Sequence, residues 1–92
     1  MTESITNWFL YMVRCADDTI YTGISIDVSA RVTKHNSGRG AKYTSTRLPV
    51  RLIYSESLPD RVSAMKREFE IKKWGRKRKE SLAQNFTPPK FQ

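Results

Sequence analysis

The chain has little of what many small proteins rely on. It holds one cysteine, Cys15, and one histidine, His35, in 92 residues. A lone thiol closes no internal disulfide, which agrees with a reducing compartment. One Cys with one His cannot assemble the usual four-ligand zinc site. No apolar run approaches the ~20 residues that a membrane-spanning helix requires. The first seven residues are polar and carry Glu3 where a secretory leader would place basic residues ahead of an apolar stretch. A cytoplasmic protein outside the membrane is therefore expected. There are no repeats and no linker, so one small domain with a modest core is expected over residues 1–92. Acidic residues are also scarce, 9 against 17 Lys and Arg, for a formal net charge of +8. That balance favours polyanionic partners, nucleic acid first and anionic membrane surfaces second.

What is present is enough to fold. Apolar residues make up 38% of the chain, and ten of its residues are aromatic. Trp8 to Cys15 is apolar, aromatic and β-branched, and reads as a strand. Ala16-Asp17-Asp18 reads as a turn, and Thr19 to Ile24 as the second strand of a hairpin. A three-residue loop would pair Val13 with Tyr21 and Tyr11 with Gly23, placing both tyrosines on one face. A two-residue loop would send them to opposite faces. Gly23 opposite Tyr11 would leave room for that ring or for a ligand. Asp27 is positioned to cap a helix running to about Asn36, which Asn36-Ser37-Gly38 ends. Ser37 to Arg47 reads as a basic loop rich in Gly, Ser and Thr, in which Arg39, Lys42 and Arg47 could meet phosphates and Tyr43 could stack on a base. Val50 to Ser55 reads as a third strand. Asp60 caps a second helix reaching about Trp74, and Arg76 to Gln84 forms a last short helix. The tail from Asn85 is expected to be extended or frayed.

Two helices carry polar residues where apolar ones are expected. On the second helix, Val62, Ala64, Met65, Phe69 and Ile71 read as one broad apolar arc with Glu68 in its middle and Lys72 one turn along. A buried charge is costly unless it is paired, bound to metal or open to a cleft, and Glu68 is expected to face a functional cleft. On the first helix Arg31 and His35 share a face with Val28 and Val32, one turn apart. Taken singly, Arg31 reads as a snorkelling side chain and His35 as a core histidine or a cation at a helix C-terminus. Taken together, two tyrosines, Arg31, His35 and Glu68 suit phosphodiester hydrolysis. That reaction needs a base for water, charge stabilisation at phosphorus and help for the leaving oxygen. A phenol or imidazole relays a proton, an arginine grips phosphate by two prongs, and one carboxylate can anchor Mg²⁺.

The stretches Phe9-Leu10-Tyr11-Met12-Val13, Tyr21-Thr22-Gly23-Ile24, Arg31-x-x-x-His35, Ala41-Lys42-Tyr43-Thr44 and Glu68-x-x-Ile71-Lys72 resemble, in order and spacing, the GIY-YIG nuclease family in its short, single-domain bacterial form. The resemblance runs from about Trp8 to Leu82. It implies an α+β fold of order ββαβαα with a central three-stranded antiparallel sheet flanked by helices. It also implies hydrolysis of DNA dependent on Mg²⁺ or Mn²⁺, without a covalent enzyme intermediate. By position Tyr11 would activate the water and Tyr21 support it, Arg31 would contact the scissile phosphate, His35 would assist proton transfer and Glu68 would bind the metal. Lys72 joins Arg39, Lys42, Tyr43 and Arg47 as expected DNA contacts. The first signature lacks its Gly and Ile, and Thr22 replaces the Ile of the second; both departures spare the tyrosines. Asn85 is the only late asparagine near the place where some relatives carry one. Tyr43, Trp74, Phe86 and Phe91, interleaved with basic residues, point toward unpaired bases and hence single-stranded or branched DNA. The competing readings are a catalytically silent nucleic-acid-binding module and a small scaffold for a protein partner.

Overall fold

The apolar run Trp8–Arg14 forms β1, the central strand of a three-stranded antiparallel sheet. The structure is a computed structural model that describes residues 7–88. β2 (Ile20–Ser25) and β3 (Arg51–Leu58) flank β1, giving the strand order β2-β1-β3. The hairpin loop is of the three-residue kind: the Cys15 N–H donates to the Thr19 carbonyl at 2.8 Å, Val13 pairs with Tyr21 and Tyr11 with Gly23. Asp18 takes the left-handed conformation at φ 72°, which Asp tolerates better than most residues because its short polar side chain bonds locally.

The helices begin where the capping residues place them. The Asp27 carboxylate accepts the Ala30 N–H at 3.0 Å and opens α1 (Val28–Asn36). Ser37 to Arg47 is not the continuous loop expected, because Lys42–Ser45 forms a single helical turn, α2. Its bonds are local, the Ser45 N–H donating to the Ala41 carbonyl and the Arg47 N–H to that of Thr44. One turn is too short to leave an apolar period in the sequence. The Asp60 carboxylate accepts the Ser63 N–H at 2.8 Å and opens α3 (Arg61–Lys72). α4 (Arg76–Ala83) follows Gly75.

Side chains alternate across a sheet with period two, so β1 feeds two cores. On one face Tyr11, Val13 and Cys15 pack with Val32 of α1 and with Val50 and Leu52. On the other face Leu10 and Met12 pack with Ile53 and with Ile71 of α3, joined by Leu82 and Ala83 of α4. A bulge helps to supply the second core: Met12 pairs with Tyr54 and Val13 with Leu52, so Ile53 is an extra residue in β3. β3 also runs three residues beyond the expected end, because Ser57 and Leu58 continue the ladder opposite Phe9 and Trp8.

α3 departs most from the sequence reading. Ala64 and Ile71 are buried, but Val62, Met65 and Phe69 are 60%, 46% and 66% exposed. The inward line is Ala64, Glu68 and Ile71, at the i, i+4, i+7 spacing of one helix face. The supposed apolar arc is therefore two stripes, one packed and one open. The tail differs too: Phe86 is half-buried, its ring 5.6 Å from that of Tyr54, so the chain stays against the core past Asn85. Pro89 and Phe91 lie outside the described residues.

Candidate active site

Tyr11 sits at the middle of the central strand and is 1% exposed. Its ring leans over Gly23 of the neighbouring strand, where a Cβ would lie 2.7 Å from the phenolic oxygen. Only glycine fits there, as the pairing of these positions in the hairpin suggested. The Tyr11 hydroxyl bonds His35 Nε2 at 2.7 Å, and the Arg31 Nε–H reaches the same oxygen at 3.4 Å. Both partners come from α1, one turn apart, on the face that packs on β1.

Burial governs the electrostatics. It pushes the Tyr11 phenol up to about 12, opposed by Arg31 and reinforced by Tyr21 and Glu68. It pushes His35 down to about 4, with the Arg31 charge adding to the effect. Both groups are neutral over the whole range near pH 7. His35 is fully buried and its second nitrogen, Nδ1, lies 2.8 Å from Thr44 Oγ1.

The remaining residues form a rim. Tyr21 packs edge-on against His35, with ring centres 5.3 Å apart, and Tyr43 of α2 stacks on Tyr21 at 5.9 Å. The Arg47 guanidinium lies over the Tyr43 ring, 3.9 Å from its centre, while its Nε–H donates to Asp17 at 3.0 Å. Lys72 Nζ lies 5.8 Å from the Tyr21 ring centre and 3.1 Å from a Glu68 carboxylate oxygen. The Glu68 side chain is 24% exposed, so its carboxylate is accessible without being open to bulk water.

The structure thus brings Tyr11, Tyr21, Arg31, His35, Tyr43 and Lys72 into one neighbourhood, with Glu68 close enough for its charge to be felt at Tyr11. Arg39 and Lys42 are exposed, and neither side chain has a partner among the described residues. Arg47, an expected DNA contact, is held by Asp17 and the Tyr43 carbonyl. Trp74 and Phe86 were expected to stack bases, but both pack against the core. Sequence reasoning passed over Gly40 and gave Thr44, quoted only within the Ala41–Thr44 stretch, no role; both touch His35. It also passed over Lys79, which lines a groove of about 260 Å³ along β2 with Tyr21, Thr22, Tyr43 and Lys72. Lys79 could have been found from its place seven residues after Lys72 in a basic run.

Among the described residues no three His, Cys, Asp or Glu side chains converge. Glu68 offers one partly accessible carboxylate, paired with Lys72, of the hard oxygen type that divalent cations take.

Residues 7–81 match the GIY-YIG catalytic domain. The chain belongs to the GIY-YIG family. That family is one of nucleases that generally depend on a divalent metal. GIY-YIG relatives include a UPF0213 protein of Staphylococcus epidermidis, 50% identical over 76 residues that span 83% of this chain and 93% of the relative. A UPF0213 protein of Staphylococcus aureus is 52% identical over 71 residues, 77% of this chain and 87% of its own. Among solved structures, the solution structure of a UPF0213 protein from Bacillus halodurans matches with a TM-score of 0.56 at 41% identity, covering 90% of this chain and 88% of that one. That of a protein from E. faecalis matches with a TM-score of 0.60 at 38% identity, covering 92% and 91%. This GIY-YIG chain is therefore of the short UPF0213 type.

Proposed function

We propose that this GIY-YIG chain is a metal-dependent DNA endonuclease acting on single-stranded DNA or on branched DNA with unpaired segments. The observation that carries the reading is the Tyr11 hydroxyl, buried and shared between His35 Nε2 and Arg31 Nε, with the Glu68 charge felt there. A phenol alone is too weak a base near pH 7. Coupled to an unprotonated imidazole it can take a proton from water while passing its own to Nε2. His35 is held neutral by burial and by Arg31. A phosphodiester on Arg31 would offset the second of these causes, raising the basicity of His35 when substrate is in place. Arg31 would grip a phosphate oxygen through its Nη groups while its Nε holds Tyr11. Glu68 would hold Mg²⁺ or Mn²⁺ in exchange for Lys72, and the metal would supply neutralisation of charge at the phosphate.

Two features favour unpaired DNA. Tyr43 is 40% exposed and stacked on Tyr21, an aromatic platform that a base can reach where the Arg47 guanidinium over Tyr43 gives way. The open stripe of α3 forms a groove of about 560 Å³ lined by Val62, Met65, Lys66, Glu68, Phe69 and Lys72. A splayed base can lay its apolar face there while its phosphates meet the lysines. The groove along β2, with Lys72 and Lys79, offers a path for the backbone on the other side.

The test is a cleavage panel with Mg²⁺ or Mn²⁺ on single-stranded, duplex, flap and branched oligonucleotides of matched sequence. Cleavage of the unpaired substrates, abolished by Glu68→Ala with binding retained, is expected. Equal or better cleavage of plain duplex would overturn the substrate reading. Binding without cleavage by the unmodified protein would leave a silent binding module.

A further inference from the structure

The one-turn helix α2 has a single buried residue, Thr44, at 0% exposure. A hydroxyl has one proton and two lone pairs. That proton goes to the Ala41 carbonyl, 3.0 Å away. The hydroxyl oxygen can then only accept in its 2.8 Å bond with His35 Nδ1. The proton between them therefore belongs to Nδ1. A neutral imidazole protonated at Nδ1 carries a lone pair at Nε2, and the Tyr11 hydroxyl, 2.7 Å from Nε2, is its donor. The whole chain is satisfied in one direction: Tyr11 O–H to Nε2, Nδ1–H to Thr44, Thr44 O–H to the Ala41 carbonyl.

The opposite tautomer would need Thr44 to turn its proton from Ala41 to Nδ1. Among the described residues the one contact that favours it is the Ala41 N–H, 3.4 Å from Nδ1 and at the limit of a hydrogen bond. The approach of α2 also has a sequence requirement. A Cβ at Gly40 would fall inside the van der Waals shell of His35 Nδ1 and 2.8 Å from its Cα. Gly40 thus lets the backbone close on the ring so that Thr44 reaches it.

We infer that Thr44, brought in by Gly40, is a positioning residue that locks His35 in the Nδ1–H tautomer and so presents a lone pair at Nε2 to the Tyr11 hydroxyl. This rests on the proposed roles of Tyr11 and His35 in catalysis, but the tautomer itself is a property of the resting protein. In the opposite tautomer Nε2–H would donate to Tyr11, and no base would stand behind the phenol.

His35 is the only histidine in the chain, so its ring nitrogens can be read without ambiguity by long-range ¹H–¹⁵N correlation at pH 7. The unmodified protein is expected to show the Nδ1–H tautomer, and Thr44→Ser to keep it. Thr44→Val removes the acceptor and is expected to populate the Nε2–H form. If the chain cleaves DNA, Thr44→Val should lower kcat by ~10–100-fold, the scale of losing an outer-shell partner, with KM little changed and with Thr44→Ser restoring most of the rate. An Nε2–H tautomer in the unmodified protein would overturn the inference, as would a Thr44→Val protein with Nδ1–H and kcat both unaltered. An Nδ1–H signal lost in Thr44→Val, in a protein that cleaves nothing, would uphold the lock and sink the nuclease reading instead.

Discussion

On the face covered by α3 and α4, β1 contributes Leu10 and Met12; on the face covered by α1 and α2 it contributes Tyr11 and Val13. All four side chains are at most 1% exposed, yet their surroundings differ. The α3 face is mostly carbon, with Ile53 and Ile71 closing it and the Thr22 hydroxyl as a buried polar group. The α1 face holds a buried phenol, imidazole and threonine hydroxyl in one hydrogen-bonded chain, with a guanidinium at its edge. A small domain gains most of its stability from apolar burial, so polar groups placed at equal depth cost stability unless every one is paired. The lesson is a division of labour across one sheet, in which the core beneath α3 holds the fold while the buried polar chain beneath α1 forms the centre of the candidate site, with Glu68 and Lys72 of α3 at its rim.

Substitutions on the polar face should have the largest effect, and on activity. Arg31→Ala removes the cation expected at the phosphate and should reduce cleavage by ~10³-fold or more in a gel assay with metal, while circular dichroism stays unchanged. On the carbon face Ile71→Ala should do the reverse. It should cost about 3 kcal/mol by urea unfolding, the sum of lost burial and a cavity, with kcat per folded molecule unaltered. A variant that inverted this pattern would end the division.

The pH dependence of stability is expected to come from the polar face. His35 titrates near 4 in the folded chain against an ordinary 6.5. Between these values the unfolded chain binds more protons, so stability rises with pH. The contribution is complete above pH 6.5 and drains away as pH falls toward 4. Between pH 6.5 and 5 it should amount to about 1–2 kcal/mol, read as a steeper fall in unfolding free energy than His35→Gln shows over the same range.

The smallest effect sharpens the comparison from the other side. Thr22 pairs with Met12 and so points toward the carbon face, and its hydroxyl is buried with no partner among the described residues. Thr22→Val keeps the shape and removes the orphan. It should stabilise the protein by about 1 kcal/mol and leave cleavage unchanged, measured by urea unfolding and the same gel assay.

The sequence made the elements legible where local chemistry decides them. Asp27 and Asp60 cap the helices they were assigned, and Ala16-Asp17-Asp18 makes the three-residue loop that sets the register of Tyr11 and Tyr21. The site was legible because Arg31 and His35 lie one turn apart and Gly23 lies opposite Tyr11. What could not be read was which side of α3 meets the sheet. Val62, Met65 and Phe69 are as apolar as Ala64 and Ile71, and only the docking of the helix tells the packed stripe from the open one. The lock on His35 was hidden for another reason. α2 is one turn long, and Thr44 in a loop of Gly, Ser and Thr looks like any other small polar residue until the ring it touches is in place.

The central claim is that the Tyr11–His35 pair activates water at a phosphodiester, and Tyr11→Phe tests it most directly. The substitution deletes one oxygen and keeps the ring over Gly23. Cleavage of a labelled single-stranded oligonucleotide, with saturating Mn²⁺ and enzyme in excess, should slow by ~10²–10⁴-fold, while the dissociation constant for the same oligonucleotide stays within about twofold. A Tyr11→Phe protein that is folded, binds the strand and cuts it at the unmodified rate would contradict the account.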